Sequence, residues 1–211
     1  MSPATRYICI EGVIGVGKST LTRLLARPFG AETLLEVVEE NPFLQDFYGD
    51  RARYAFQTET FFLLSRYRQQ QAVVRPIVGT RNLVSDYLFA KNRLFASLNL
   101  RGDEWDLFLQ LYRTLAERVQ TPDLVIYLQA DVDTLMGRIA QRDRPFERNM
   151  DQTYIEGLRD AYERFFAGYS EAPLLAIETD TLNLVRDAEA RAHVIGAIHA
   201  ALAGYQQRSL I

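Results

Sequence analysis

The run Gly12-Val13-Ile14-Gly15-Val16-Gly17-Lys18-Ser19 has the spacing G-x4-G-K-S, and these residue types at that spacing suit one chemistry, the holding of a polyphosphate. Glycines let successive backbone N–H groups turn inward on the phosphates, and a helix starting directly after them adds partial positive charge. Lys18 is expected to bridge the phosphate being transferred and Ser19 to hold magnesium, with Gly12, Val13, Gly15, Val16, Gly17 and Thr20 completing the nucleotide-binding segment. Such a loop specifies binding rather than catalysis. A nucleotide-dependent switch or a non-catalytic nucleotide-binding subunit would carry the same residues.

Transfer to an acceptor asks for more. An acceptor phosphate is already anionic, whereas a neutral hydroxyl must lose a proton and calls for a carboxylate base. Glu36 falls near the carboxyl end of a strand-like segment, where open α/β sheets place ligands, with Glu39 and Glu40 as nearby competitors. Asp86 ends another such segment, where a carboxylate can reach magnesium through water; its alternative is a helix N-cap. Arg138 and Arg142 share a helical face, and Arg144 lies just beyond. They suit either a phosphate-gripping lid or a solvated basic face that offsets a helix dipole.

The elements that must position these residues alternate between strand and helix patterns from end to end, which predicts an α/β fold with a parallel sheet in a single domain over 1–211. Five strands are expected at Tyr7–Glu11, Thr33–Val38, Leu83–Asp86, Asp123–Gln129 and Leu174–Glu178. Helices are expected at Lys18–Ala26, Ala52–Val74, Tyr87–Leu98, Glu104–Val119, Val132–Gln141, Gln152–Phe166 and Arg186–Ala203, the second ending before Pro76. A formal charge of -3, with acids and bases interspersed, speaks against a nucleic-acid polymer as partner. Cys9, alone of its kind and set in an apolar strand, fits a reducing compartment. The sequence carries no leader-like or membrane-length apolar run, so a cytoplasmic protein with no membrane partner is expected.

Taken in order, Ile10-Glu11-Gly12-x-Ile14-Gly15-x-Gly17-Lys18-Ser19-Thr20, then Glu36-Val37-Val38-Glu39-Glu40-Asn41-Pro42-Phe43-Leu44, Phe56-Gln57-Thr58-Glu59 with Ser65-Arg66, and Arg138-x3-Arg142-x-Arg144 resemble the deoxyribonucleoside kinase family, nearest its bacterial purine-specific members. The resemblance spans nearly the whole chain. It implies a P-loop kinase fold, a five-stranded parallel sheet flanked by helices with an arginine-rich lid at about 142–149, and phosphorylation of a purine deoxynucleoside at its 5′-hydroxyl with ATP as donor and Mg2+ as cofactor. Matched position by position, the family's base falls on Glu36, its sugar-contacting pair on Tyr48 and Glu147, its base-supporting arginine on Arg66 with Asn92 where many members have an acid, and its donor-adenine loop on Asp180. The base-reading glutamine falls on Glu59, with Gln57 the alternative should the register differ. Because an ionised Glu only accepts hydrogen bonds, Glu59 favours guanine, with its N1–H and N2–H donors, over adenine. One of Phe56, Phe89 and Phe95 is expected to stack on the nucleobase. A family arginine is absent where Tyr87 follows Asp86, and Lys91 offers a substitute charge. The resemblance also implies a homodimer built on the long apolar helices, with a heterodimer as the alternative. A nucleoside monophosphate kinase on the same scaffold would instead need an arginine clamp for its acceptor and no Glu36.

Overall fold

The computed structural model describes residues 5–208, so 1–4 and 209–211 of the expected domain lie outside the described residues. Five parallel strands, β1 (Tyr7–Gly12), β2 (Ala31–Leu34), β3 (Asn82–Ser85), β4 (Leu124–Gln129) and β5 (Leu174–Glu178), form one sheet in the order β2-β3-β1-β4-β5. Every residue of β1 is buried, as its run of apolar side chains requires of a strand covered on both faces. The chain leaves β1 towards β2 and leaves β3 towards β4, so adjacent strands send their connections in opposite directions. A crevice opens at their carboxyl ends.

The helices are α1 (Lys18–Ala26), α2 (Leu44–Gly49), α3 (Arg51–Gln69), the short α4 (Arg75–Ile77), α5 (Lys91–Asn99), α6 (Gly102–Ala116), α7 (Val132–Arg142), α8 (Gln152–Ala167) and α9 (Ala188–Arg208). Most element ends shift from their expected places, α2 lies outside the expected helices, and three of the shifts have a clear local reason. Strand β2 ends at Leu34 rather than Val38, because Asp86 intervenes: its N–H binds Leu34 O at 3.0 Å and its Oδ1 takes the Glu36 N–H at 2.6 Å. A side chain replaces the neighbouring strand as partner, and Glu36 is released into a loop. The helix expected to stop before Pro76 continues past it through a π turn at Gln70–Val74, in which the Arg75 N–H reaches Gln70 O. The wider turn leads into Pro76, which has no N–H to donate. Helix α5 begins at Lys91, not Tyr87, since the Leu88 N–H is taken by Glu11 Oε2 at 2.7 Å.

Glu11 is 1% exposed and ties three elements together. Its Oε1 accepts the Gly12 N–H at 3.0 Å and the Tyr162 hydroxyl of α8 at 2.8 Å, while Oε2 holds the turn after β3. Such a buried carboxylate is tolerable only because its lone pairs are used.

Gly12 has φ 150°, and a Cβ there would lie 2.4 Å from the Leu128 carbonyl oxygen of β4. Replacing Gly12 by Ala is therefore expected to cost roughly 2–4 kcal/mol of stability through backbone strain and overpacking. Urea unfolding measures it; a loss below about 0.5 kcal/mol would contradict the tight β1–β4 packing.

Candidate active site

The phosphate loop is closed on itself. Lys18 Nζ donates to Gly12 O at 2.7 Å and to Val13 O at 3.0 Å, while Val16 N–H meets Val13 O at 3.2 Å. Gly17 (φ 107°) turns the chain into α1. Gly15 must be glycine for a second reason: a Cβ would sit 2.8 Å from Leu135 O of α7. Burial, then Lys91, lowers the Lys18 ammonium to about 8. Ser19, the second residue of α1, donates its hydroxyl to Asp86 Oδ2 at 2.5 Å. Burial raises the Asp86 carboxyl above its ordinary value.

Beyond this joint lies a pocket lined by Lys18, Ser19, Glu36, Asp86 and Lys91 at its floor and by side chains of α2, α3, α5 and α8 on its walls. Glu36 Oε2 accepts from Lys91 Nζ at 3.0 Å, and Oε1 accepts from Arg66 Nε at 2.7 Å and from a second guanidinium nitrogen. Arg66 also donates to the Asn92 Oδ1. Burial by itself would raise the Glu36 carboxyl; Arg66 and Lys91 together outweigh it and hold the group well below the usual carboxylate range.

Glu59, one wall away on α3, meets the opposite fate. It is 3% exposed, its one hydrogen bond is to Asn99 Nδ2 (2.7 Å from Oε1), and burial pushes its carboxyl up to about 7. Gln57 is exposed and does not line the pocket, because residues two apart on a helix face different ways. The structure thus separates the two candidates and brings only Glu59 to the site. Of Phe56, Phe89 and Phe95, only Phe95 lines the pocket; Phe89 stacks on Tyr112 with ring centroids 5.7 Å apart. Phe62, under the Arg66 guanidinium at 4.7 Å, and Tyr154 line it as well, although nothing in their spacing marked them.

The arginine segment folds over the pocket mouth. Helix α7 ends at Arg142, Asp143 takes a left-handed turn (φ 48°), and Pro145–Glu147 makes one tight helical turn. Glu147 is buried and accepts from Arg142 at 2.6 Å, Arg144 reaches Glu39 at 3.1 Å, and Phe146 stacks on Tyr48 at 6.4 Å. Tyr48 and Glu147 line the same pocket. Arg138 stays on the other side of the loop, donating to Thr179 O at 2.5 Å, Thr179 Oγ1 at 2.9 Å and Val16 O at 3.3 Å. With Arg138, Gly15, Gly17, Thr20 and the segment from Thr179 to Arg186 it borders a second, larger cleft. Asp180 lies in that cleft and accepts the Asp131 N–H at 2.9 Å.

A family model described as deoxynucleoside kinase matches residues 8–203. The chain belongs to the deoxynucleoside kinase family. It is 34% identical to deoxyguanosine kinase of Bacillus subtilis (strain 168), with 85% of this chain and 89% of that protein covered. To the deoxyadenosine/deoxycytidine kinase of the same organism it is 29% identical, covering 98% and 97%. A structure of deoxyadenosine kinase from M. mycoides with bound dCTP shares the fold, with a TM-score of 0.79, 24% identity and 92% and 99% coverage.

Within this kinase, not every matched residue faces a cleft. Gly12 and Val13 line neither and contribute carbonyls that hold Lys18, and Asn92 stands behind Arg66. Tyr87 is fully buried and lines neither cleft, whereas Lys91 lines the pocket.

The raised Glu59 carboxyl has a stability consequence. Below 4.5 it is protonated in both folded and unfolded chains; between 4.5 and about 7 only the unfolded chain ionises, so stability is lost as pH rises through that window. The loss totals about 3 kcal/mol above neutrality. Glu59→Gln is expected to melt higher than the parent at pH 8 without nucleoside, the gap closing towards pH 5. Parallel melting curves at all pH values would contradict it.

Proposed function

We propose that this deoxynucleoside kinase transfers the γ-phosphoryl group of ATP to the 5′-hydroxyl of a purine deoxynucleoside, deoxyguanosine ahead of deoxyadenosine, in deoxynucleotide salvage. One observation carries the reading: Glu36, kept ionised by Arg66 and Lys91, lines the same pocket as Lys18 and Ser19. In the proposed step the 5′-oxygen bonds to the γ-phosphorus as the bond to the β-phosphate oxygen breaks. The hydroxyl proton passes to Glu36, and ADP leaves. A carboxylate held this low is a weak base, which suits a loose phosphoryl transfer: the hydroxyl needs orienting early and loses its proton late. Lys18, Arg138, Arg142 and Arg144 would hold the transferring and donor phosphates.

Ser19 Oγ and Asp86 Oδ2 offer one hydroxyl and one carboxylate at the loop. Among the described residues no group of three or more His, Cys, Asp or Glu could hold a metal ion unaided. Two oxygen donors fit Mg2+, which takes the rest of its octahedron from phosphates and water. Bound there, it would supply charge neutralisation on the donor phosphates.

The monophosphate-kinase alternative needs free cations for an acceptor phosphate. On the pocket side away from the arginine segment, Arg66 and Lys91 are both already paired with Glu36, which supports a neutral acceptor. Tyr48 and Glu147, side by side, suit the 3′-hydroxyl and leave little room for a 2′-hydroxyl. Glu59 suits guanine, and relatives bearing both deoxyguanosine and deoxyadenosine kinase names support a purine. Leu64 on α3 and Leu107 and Leu111 on α6 are exposed large apolar side chains, which support a homodimer through these helices. No helix among the described residues is long and apolar enough to cross a membrane, and a cytoplasmic setting is proposed with the buried free thiol of Cys9.

Glu36→Gln tests the mechanism. ATP binding, measured by calorimetry, is expected to persist, while deoxynucleoside phosphorylation falls by roughly 10²–10⁴. Undiminished turnover removes Glu36 as the proton acceptor.

A further inference from the structure

We propose that the proton on Glu59 selects between the two purines: the ionised carboxylate takes deoxyguanosine, and the protonated acid takes deoxyadenosine. This rests on the reading of Glu59 as the base-facing residue. Ionised, the group offers two acceptor oxygens to the N1–H and N2–H of guanine. Protonated, it has the donor–acceptor pattern of an amide and matches adenine, donating to N1 and accepting from the 6-amino group.

Asn99 makes the two states distinct. Its amide donates to Oε1 at 2.7 Å, so Oε1 is an acceptor in both states and the proton must sit on Oε2. The adenine pattern then has one orientation only, Oε2–H to N1 and Oε1 from the amino group. Because a carboxylate oxygen has more than one lone pair, Oε1 can serve Asn99 and the base together. Asn99 is thereby a positioning residue for specificity, and it lay in none of the motifs read from the sequence.

The surroundings keep both states accessible. Burial, the largest influence, favours the acid, and Glu36 from the loop after β2 adds to it. Asn99 and Lys91 on α5 and Arg66 on α3 itself favour the anion, yet neither Arg66 nor Lys91 is bonded to Glu59, both being held by Glu36. Helices α2 and α8 present Tyr48 and Tyr154, phenols held neutral by burial, and the arginine segment presents Arg142, Arg144 and Glu147 in mutual pairs. On α6, the charged Asp103, Glu104, Asp106 and Arg113 are exposed. The balance leaves the carboxyl near neutrality, where a small change of pH redistributes the proton.

The test is a competition between deoxyguanosine and deoxyadenosine at fixed ATP and Mg2+, in one vessel, from pH 5.5 to 8.5. Titrations shared by both reactions cancel in the ratio of kcat/KM values, and neither purine changes charge in this range. The deoxyguanosine to deoxyadenosine ratio is expected to rise with pH, about tenfold per unit at its steepest, because each unit changes the ratio of ionised to protonated Glu59 tenfold. Glu59→Gln should flatten the profile, and Asn99→Ala should displace it to higher pH. A ratio flat with pH in the parent enzyme overturns the proton-set selection, and that arm needs no variant. If Glu59→Gln also leaves the substrate ranking untouched, the base-facing reading of Glu59 falls with it; if the ranking changes while the parent profile is flat, only the proton-set selection falls.

Discussion

Asp86 is the joint on which the site depends. Both of its oxygens are committed, Oδ2 to the Ser19 hydroxyl at 2.5 Å and Oδ1 to the Glu36 N–H at 2.6 Å. The first bond fixes the start of α1 against the end of β3. The second stops β2 and swings the following loop so that Glu36 faces the cations of α3 and α5. One short side chain at a strand end therefore sets the distance between the phosphate loop and the carboxylate across the pocket. Asp suits this better than Glu, since a longer side chain would add a rotor to a link whose value is its fixed reach.

From that joint follows a division of labour between two carboxylates. Glu36 and Glu59 both line the pocket, Glu59 buried and Glu36 largely so, and desolvation acts on each in the same direction. What separates them is the allocation of cations. Arg66 and Lys91 donate to Glu36, and Arg66 to Asn92 as well, leaving Glu59 with one neutral amide. Groups whose surroundings push them apart in this way commonly take different roles. Here one carboxylate rests charged beside the phosphate loop, and the other is poised near neutrality on the pocket wall.

Much of this was legible in the sequence. The phosphate loop is a local feature, set by the positions of its glycines and by Lys18 and Ser19, so strand, loop and helix were found where the spacing put them. Five strands and their parallel arrangement followed from alternation. The parts that were not legible are those decided by tertiary hydrogen bonds. Periodicity extends β2 to Val38, but Asp86 cuts it at Leu34; it starts a helix at Tyr87, but Glu11 seizes the Leu88 amide. Position matching left Gln57 and Glu59 as alternatives because it carries no phase, whereas the turn of α3 buries one and exposes the other. Asn99 had no signal at all, being an ordinary amide at a helix end whose meaning depends on what α3 brings opposite it.

Tyr87 stands at the position where the resemblance to the family implies an arginine. The chain between Asp86 and α5 is an irregular turn, and the Tyr87 side chain is fully buried. An arginine there would bring a third buried cation to a place where Arg66 and Lys91 already offset the charge of Glu36. Lys91, the first residue of α5, is near enough to Lys18 to depress its ammonium and is bonded to Glu36 at 3.0 Å. The flexible lysine stem reaches the carboxylate from a position four residues on, and its compact head makes one contact where a guanidinium fork would make two. A positive charge thus stands at the meeting point of the loop and Glu36, while the residue after Asp86 belongs to the core.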